Sequence, residues 1–403
     1  MHPRNPYAHA APDFRRLAAA DPVLARLAPD GAVDFDDPAA VCALTAALLR
    51  ADFGLDVVLD PARLCPRVPN RLNYVLWIQD VVDADRARTA ADRPVVGLDI
   101  GTGVSAIYAL LAVRLRPDWA MVATDADAAA VAAAAANVAR NGLAERIAVV
   151  ATDPAGPLVD PAALGRATLD FTMCNPPFYG SRVEADAGAA GKAVRRTTAA
   201  ADPEMITPGG ELGFFRRMLA DSERLGDAVR WYTTMFGKLD SLVAAVGDLR
   251  ARALDNYVLA EFVQGDTRRW ALGWAIHGTR LPPELVRPAV GARLRPLLPR
   301  PPATFAAGPP EAVLPALQAA LRSNPHLAVS GTGPLRVASH GDVWSRAFRR
   351  RRPDAPAPPG DHAFAADIVA GAGAVTVVWV YGTQPAVFES FCGVVQRALR
   401  PSE

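Results

Sequence analysis

The sequence has little cysteine, and the cysteines that it has form no pattern. Four occur in 403 residues, at Cys42, Cys65, Cys174 and Cys392. Their spacing matches neither a set of zinc ligands nor a disulfide framework. A chain without structural disulfides is typical of a reducing compartment. We therefore expect an intracellular protein, nuclear or cytoplasmic, whose functional site needs no metal.

Long apolar runs and an excess of one charge are also missing. The chain has no stretch of about twenty uncharged apolar residues, as a membrane-spanning helix requires, and its N-terminus lacks the features of a signal peptide. Lys and Arg total 43 against 42 Asp and Glu, a net charge of +1 at pH 7. We therefore expect no membrane partner, and any nucleic-acid surface must be local.

A Gly-x-Gly turn follows an apolar strand in the segment DIGTGVS, residues 99–105. Glycines at such a turn let the backbone approach a ligand closely. The third glycine of a dinucleotide-binding fingerprint is absent, since Ile107 and Tyr108 occupy that region. An acid, Asp99, instead precedes the turn. This Asp-x-Gly-x-Gly pattern is that of enzymes that bind S-adenosylmethionine, a cofactor without a pyrophosphate.

Strands and helices alternate through the middle of the chain, which predicts a doubly wound parallel sheet. The predicted strands cover 94–100, 119–125, 146–152, 169–174, 230–236, 256–264 and 268–277. The second of them ends in Asp125, where a carboxylate suits the two hydroxyls of a ribose. The expected fold is α/β, a class I (Rossmann-like) S-adenosylmethionine-dependent methyltransferase with a helical N-terminal extension and a small C-terminal α+β module.

The strongest motif is Asn175-Pro176-Pro177-Phe178, directly after the apolar run 169–174. The Asn175 side-chain oxygen and the Pro176 carbonyl can each accept one N–H of a planar amine. The nitrogen lone pair then turns away from the ring, toward an incoming methyl group. Phe178 can stack on that ring, and the prolines keep the loop in shape. The motif therefore predicts methylation of an amino group.

Two structural interpretations of this region remain open. A Pro-Pro turn after a buried strand occurs often without any catalytic role. Cys174 could also be read as a nucleophile. No histidine lies near it in the sequence, so a buried small residue at the end of a core strand is favoured.

Composition divides the chain into four predicted parts. Residues 1–90 form a helical extension, and 91–277 the methyltransferase domain. Residues 278–310 are Pro-rich and read as a linker, and 311–403 form a small α+β module with RNA binding as its predicted role. In that module a basic run at 346–352 indicates a solvated helix end, a transport signal or an RNA contact.

Nine short segments follow one another in the order found in a known family: MH-x-RN (1–5), PDF (12–14), DFGL (52–55), RLNY (71–74), DIGTG (99–103), MCNPPF (173–178), GGEL (209–212), RWY (230–232) and RWAL (269–272). Over about residues 1–277 the chain resembles the methyltransferase-like protein 16 family of RNA adenosine N6-methyltransferases. A bacterial relative of that family is the ribosomal large-subunit RNA adenine-N6-methyltransferase F.

The resemblance implies S-adenosylmethionine as the methyl donor and a structured RNA with an unstacked adenosine as the partner. Family substrates are U6 small nuclear RNA and hairpins in methionine adenosyltransferase mRNA. Residues 175–178 would hold the adenine, with Asn175 also near the cofactor. The other cofactor-binding positions carried over by the resemblance are Arg71, Gly101, Thr102, Gly103, Ser105, Asp125, Thr152 and Asp153. Asp125 replaces a glutamate of the family.

RNA contacts carried over by position involve Arg4 and Arg269, and the loop 179–208 adds Lys192, Arg195 and Arg196. A long non-periodic loop after a catalytic strand is often functional. The chain departs from the family at Pro6, Ala8 and Asp266, where members can carry basic residues. Each lost basic contact weakens phosphate binding and its salt dependence.

The expected chemistry is direct methyl transfer from the sulfonium to adenine N6, for which no covalent intermediate is needed. Three alternatives stay open from the residues. The acceptor could be a protein glutamine, although those enzymes typically carry Tyr as the fourth residue of the motif. It could be a DNA adenine. The protein could also serve mainly as an RNA-binding factor with slow catalysis.

Overall fold

The strands predicted around the glycine turn and the Asn-Pro-Pro-Phe motif form one sheet in the structure, a computed structural model. It describes residues 1–190, 202–265, 267–351 and 362–400. The chain divides into two units. The first holds 1–83, 91–252 and 259–275, and the second holds 84–90, 253–258 and 276–403. Within the described ranges, no helix is both long enough and apolar enough to cross a bilayer.

The first unit is built from helices and strands in alternation. Its helices are α1 (Phe14–Ala20), α2 (Pro22–Leu27), α3 (Pro38–Phe53), α4 (Val68–Thr89, whose last turns belong to the second unit), α5 (Ile107–Leu115), α6 (Ala128–Arg140), α7 (Arg182–Ala190), α8 (Asp202–Met205), α9 (Gly210–Leu225) and α10 (Leu239–Ala251). Its strands are β1 (Val95–Ile100), β2 (Trp119–Asp125), β3 (Ile147–Ala151), β4 (Leu169–Cys174), β5 (Val229–Phe236), β6 (Tyr257–Gln264, which begins in the second unit) and β7 (Thr267–Trp274).

The seven strands lie in the order β3-β2-β1-β4-β5-β7-β6. Strands β1 to β5 pair in parallel, as predicted. Strand β7 is antiparallel to β5, so the prediction of a wholly parallel sheet was wrong there. Only residues 265 and 266 separate β6 from β7, too few for the crossover that parallel neighbours need. The order places β1 beside β4, which brings the glycine turn and the Asn-Pro-Pro-Phe loop to the same sheet edge.

Local sequence explains where the helices begin and end. The Asp127 side chain accepts a hydrogen bond from the Ala129 N–H at 2.9 Å and caps α6. Asp37 caps α3 in the same way, and α3 ends at Gly54 with φ +59°. Such caps satisfy backbone groups that a helix end leaves unpaired. The segment 179–208, predicted to be non-periodic, contains α7 and α8.

The second unit contains α11 (Pro283–Val286), α12 (Pro310–Arg322), α13 (Arg346–Arg351), α14 (Pro385–Ala398) and strands β8 (Ala303–Ala306), β9 (Ala328–Ser330), β10 (Leu335–Ser339), β11 (Phe364–Gly371) and β12 (Ala374–Tyr381). Its five strands form an antiparallel sheet in the order β8-β12-β11-β10-β9. Leu317 and Leu321 of α12 and Phe391 of α14 pack into its core.

The Pro-rich segment 278–310 differs from the predicted linker. Its strand β8 pairs with β12, and Leu281, Leu294, Leu297 and Leu298 are buried. Ala303, Phe305 and Ala307 pack against the core of the module, so the prolines do not separate this segment from it. The prediction also missed β9 and β10, which are too short to show a clear period of two.

Packing beneath the glycine turn requires Gly97 in β1. A Cβ at this position would lie 2.2 Å from Phe171 Cζ and 2.7 Å from Met121 Sδ. We expect Gly97→Ala to lower the free energy of unfolding by about 1–3 kcal/mol through overpacking. Urea denaturation measures the change. Gly247→Ala in α10 is the matched control, since a Cβ there meets no atom within 4 Å. Equal stability of the two variants would contradict the expectation.

Candidate active site

The glycine turn after β1 leaves open space where side chains would otherwise lie. Gly101 and Gly103 have φ of +71° and +64°, and a Cβ on either would meet no atom within 4 Å. The backbone N–H groups of Gly101 and Thr102 both donate to the Thr124 carbonyl, at 2.9 Å. Thr102 and Ser105 are buried. The turn is thus held on β2 and leaves bare backbone beside open space; its role in binding the cofactor stays a prediction.

Asp125, at the end of β2, lies against this turn. Its Oδ2 accepts a hydrogen bond from the Gly103 N–H at 2.8 Å, and its Oδ1 accepts one from the Asp127 N–H at 3.0 Å. Each oxygen keeps a second lone pair for a ligand hydroxyl. The Thr152 N–H donates to the Asp125 carbonyl at 2.9 Å, so the end of β3 adjoins the same position. Asp153 is exposed, and its side chain caps the turn at Ala155.

Asp99 is a site residue whose role the sequence did not reveal. It is only 1% exposed, and one oxygen accepts the Thr102 hydroxyl at 2.7 Å. Its other oxygen, Oδ1, has no hydrogen-bond partner among the described residues. Burial, with a smaller contribution from the nearby Asp125 carboxylate, raises the pKa of Asp99 to about 7, although the Thr102 hydroxyl and the Arg71 charge act to lower it. In the sequence, the feature that could have indicated a role for Asp99 is its position directly before the Gly-x-Gly turn.

Three side chains connect α4 and α5 to the end of β4. The Arg71 guanidinium lies 5.5 Å from the centre of the Tyr108 ring. Tyr108 packs edge-on against Tyr74, with ring centres 5.6 Å apart. The buried Tyr74 hydroxyl accepts a hydrogen bond from the Cys174 N–H at 3.3 Å and bonds Thr233 Oγ1 at 2.7 Å. Arg71, predicted to bind cofactor, therefore lies on an aromatic support that also holds the motif strand.

The motif itself presents an unsatisfied acceptor. The side-chain oxygen of Asn175 is buried and has no hydrogen-bond partner within the described part of the chain. Pro176 is buried, and Pro177 and Phe178 are half-buried. Buried polar atoms in proteins are nearly always paired, so an orphaned one marks a place for a ligand donor. An amino N–H is such a donor.

Arg269 of β7 faces the last residue of the motif. Its guanidinium carbon lies 5.1 Å from the centre of the Phe178 ring. Burial lowers the pKa of Arg269, and the positive charge of Arg71 lowers it further. A desolvated cation beside an aromatic ring favours an anionic or electron-rich partner. Arg269 thus lies at the predicted acceptor position.

Cys174 cannot act as a thiolate here. It is buried at the end of β4, and burial raises the pKa of its thiol well above the usual value. The nucleophile is the thiolate form, which this environment disfavours. The interpretation of Cys174 as a small core residue therefore agrees with its surroundings.

The N-terminal arm lies on α4. The Arg4 guanidinium donates to Gln79 Oε1 and to the Leu76 carbonyl, both at 3.0 Å, and it pairs with Asp80. His2 Nε2 also contacts Asp80, at 2.8 Å. Arg4 therefore makes intramolecular contacts in this structure, and its RNA contact stays a prediction. Lys192, Arg195 and Arg196 lie outside the described residues, as does Asp266.

The sequence of this chain is similar to those of known proteins. A family model described as RNA methyltransferase matches residues 1–278. The human RNA N(6)-adenosine-methyltransferase METTL16 is 37% identical over 320 residues, 76% of this chain and 55% of the human protein. The U6 small nuclear RNA (adenine-(43)-N(6))-methyltransferase of Schizosaccharomyces pombe is 30% identical over 387 residues, 94% of this chain and 98% of that protein. The chain thus spans about half the length of the vertebrate relatives that it matches.

Solved structures give the same result for the fold. The human METTL16 catalytic domain in complex with a MAT2A 3′UTR hairpin matches with a TM-score of 0.61 and 37% identity, over 69% of this chain and 96% of that chain. The N-terminal domain of human METTL16 in complex with SAH matches with a TM-score of 0.56 and 36% identity, over 69% of this chain and 99% of that chain. The predicted Rossmann-like methyltransferase fold is confirmed.

The raised pKa of Asp99 makes stability depend on pH. The folded chain keeps this carboxyl protonated up to about pH 7, whereas the unfolded chain loses the proton near its ordinary value of 3.8. Between these values the folded state binds more protons, so stability falls as pH rises, by at most about 1.4 kcal/mol per pH unit. Asp99→Asn removes this contribution because the amide does not titrate.

We expect Asp99→Asn to gain stability relative to the unmodified protein as pH rises toward 7, and to keep a constant difference above it. Denaturation without cofactor at several values from about pH 5 to about pH 8 measures this. Thr102→Val, which removes the hydroxyl bonded to Asp99, is the control that keeps the carboxyl. Identical pH slopes for the Asp99 variant and the unmodified protein would contradict the raised pKa.

Proposed function

The chain belongs to the RNA methyltransferase family whose model it matches, and on that premise we propose that it transfers a methyl group from S-adenosylmethionine to adenosine N6 in a structured RNA. The observation that carries the proposal is the buried, unpartnered oxygen of Asn175. It lies at the end of β4, beside the open glycine turn of β1. The site therefore offers an acceptor for an amino N–H next to a place for a methyl donor.

U6 small nuclear RNA is the substrate that we propose first. The relative that this chain matches over nearly its whole length, in Schizosaccharomyces pombe, is named as a U6 small nuclear RNA methyltransferase. The human catalytic domain was crystallised with an mRNA hairpin. RNA is generally recognised through unpaired bases in loops and bulges, and a pocket that ends in Asn175 and Phe178 takes one such base. Such a substrate places the protein within the cell, in the nucleus or the cytoplasm.

The residues of the first unit fit the proposed cofactor. Gly101 and Gly103 leave room for a ligand against bare backbone. Asp125 offers free lone pairs to ribose hydroxyls, and Asp99 Oδ1 is a buried acceptor without a described partner. Arg71 supplies a positive charge suited to a carboxylate. These groups match the hydroxyl, ammonium and carboxylate parts of S-adenosylmethionine.

S-adenosylmethionine, when bound, supplies a methyl group on a positively charged sulfur, so that the new N6–carbon bond forms as the carbon–sulfur bond breaks and N6 loses a proton to water. The protein contributes orientation. Asn175 Oδ1 and the Pro176 carbonyl each accept one amino N–H, which points the nitrogen lone pair away from the base ring. Phe178 packs on the base and keeps its plane in one orientation.

Two side chains favour a nucleobase over other acceptors. Phe178 is the fourth residue of the motif, where methyltransferases of protein glutamine typically carry Tyr. Arg269 lies on the Phe178 ring and adds a buried positive charge beside the acceptor position. Both features suit a base with its phosphate. The basic helix α13 of the second unit is a further candidate RNA contact.

Methyl transfer to different acceptors tests the substrate class. Purified protein is incubated with S-adenosylmethionine and, separately, U6 small nuclear RNA, an unrelated hairpin, adenine-containing DNA and a glutamine peptide. Nucleoside mass spectrometry is expected to find N6-methyladenosine in U6 RNA. Product on DNA or the peptide alone would contradict the RNA assignment. Tight RNA binding with no product in a single turnover would indicate a binding factor.

Asn175→Ala tests the orienting role of the motif. Without the buried acceptor the amine is no longer held, so we expect turnover on RNA to fall by about a hundredfold or more. Binding of S-adenosylhomocysteine, measured by calorimetry, should change by no more than a few-fold. Cys174→Ala is the neighbouring control and should retain turnover, because its thiol is buried and protonated. Retained methylation by the Asn175 variant would refute the assignment.

A further inference from the structure

The two residues after β5, Gly237 and Lys238, contact the outer end of the motif loop. A Cβ added to Gly237 would lie 3.1 Å from Phe178 Cδ1 and 3.3 Å from Phe178 Cε1. The Lys238 ammonium lies 5.0 Å from the centre of the Tyr179 ring. We propose that Glu211 is a positioning residue that holds Gly237 and Lys238 in place and thereby fixes the Phe178 ring for stacking on the acceptor base. This inference deepens the proposed function and rests on it.

Glu211 lies in the first turn of α9, and its carboxylate is buried. It is 1% exposed. Its Oε2 accepts the Gly237 N–H at 2.6 Å, and its Oε1 accepts the Lys238 N–H at 2.9 Å. Burial raises the pKa of Glu211, while these two N–H groups and the Lys238 charge lower it. Each carboxylate oxygen accepts one of these bonds, whereas a glutamine would place an NH2 group, which cannot accept, opposite one of the two N–H groups.

The glycines before Glu211 bring α9 against the other side of the loop. Gly210 has φ +60°, and a Cβ there would lie 3.1 Å from the Phe178 carbonyl oxygen and 3.2 Å from the Gly180 nitrogen. The start of α9 and the end of β5 thus enclose the loop. Glu211 joins these two elements, since it belongs to one and bonds the backbone of the other.

Lys238 also fixes the next two residues of the loop, Tyr179 and Gly180. Beyond its contact with Tyr179, its ammonium pairs with Glu184. The second oxygen of Glu184 accepts the Gly180 N–H at 2.7 Å. The two-residue segment 237–238 therefore contacts three consecutive residues of the loop. It contacts Phe178 and Tyr179 directly, and Gly180 through the Glu184 side chain. That segment is itself held by Glu211.

A Phe178 ring that is already held in place affects how the acceptor base binds. A base that stacks on a fixed ring loses less conformational freedom than one that must order the ring first. A small displacement of a positioning group can lower turnover by about a hundredfold. Arg269, on the Phe178 ring, is not bonded to Glu211 among the described contacts, although the Glu211 charge acts on it. A substitution at Gly237 leaves this charge in place and therefore tests the geometric role separately from it.

Gly237→Ala is the direct test, because its Cβ would lie 3.1 Å from the Phe178 ring and 3.3 Å from Glu211 Oε2 without removing any hydrogen-bonding group. We expect kcat/KM for RNA to fall by about tenfold to a hundredfold, with S-adenosylhomocysteine binding unchanged. Gly247→Ala in α10 adds the same methyl group where no atom lies within 4 Å, and it should match the unmodified protein. A normal kcat/KM for Gly237→Ala would overturn the proposal.

A double-mutant cycle separates positioning from general damage. In a Phe178→Leu background the ring is gone, so the added methyl group of Gly237→Ala should cause little further loss in single-turnover rate. Contacting residues that act together give non-additive effects. A full additional loss in that background would mean that Gly237 acts elsewhere, and the proposal would fail.

Glu211→Gln tests the anchor, with Glu223→Gln on the exposed end of the same helix as its control. Glu223 pairs with Arg252 at the surface, where an ion pair contributes little. Amide hydrogen exchange at residues 178–180, measured without any substrate, should be faster in Glu211→Gln and Gly237→Ala and unchanged in both controls. Unchanged exchange in the two test variants would overturn the proposal.

The exchange measurement also separates this inference from the proposed function. If the unmodified protein methylates no RNA, the function assignment fails, yet exchange still reports whether Glu211 holds the loop. If methylation occurs and exchange does not respond to Glu211 or Gly237, the function stands and the positioning role is refuted.

Discussion

The hydroxyl of Tyr74 is the contact on which the arrangement of the site depends. It is fully buried and bonds the last backbone N–H of β4 and the Thr233 hydroxyl of β5. Its ring supports Tyr108, and Tyr108 in turn supports Arg71. An unpaired N–H at this depth would cost about 1–3 kcal/mol. The same residue thus fixes where the motif begins and where the proposed cofactor-binding arginine lies.

The sequence predicted which residues meet at this sheet edge, because the main parts of the candidate site depend on local chemistry. The Gly-x-Gly turn, Asp125 and the Asn175–Phe178 motif each follow a strand that is recognisable by its apolar run. Parallel strands place such ends at one edge. Arg71 could be placed only by resemblance, because a helix residue reaches the site through tertiary packing.

The features that sequence reasoning missed all depend on contacts between distant segments. Asp99 and Glu211 stand in segments that were identified, yet their burial and unusual partners come from packing against the neighbouring turns. The direction of β7 follows from the two-residue connection to β6. The prediction of a linker at 278–310 rested on its proline content. The burial of its leucines depends on tertiary packing, which the sequence does not show.

The groups that would carry out methyl transfer and the groups that would contact the RNA backbone lie in different parts of the first unit. Asp99 and Asp125 lie at the proposed cofactor position, whereas Arg269 lies on the Phe178 ring at the proposed acceptor position. Each set is held by backbone or aromatic contacts, so neither depends on the RNA for its position. Arg4, by contrast, is bonded to α4, and Pro6 and Ala8 carry no charge. We therefore expect fewer phosphate contacts from the arm than the family pattern provides. On the proposed function, discrimination among RNAs would then depend on base fit in the Asn175–Phe178 pocket and on the shape of the RNA around it.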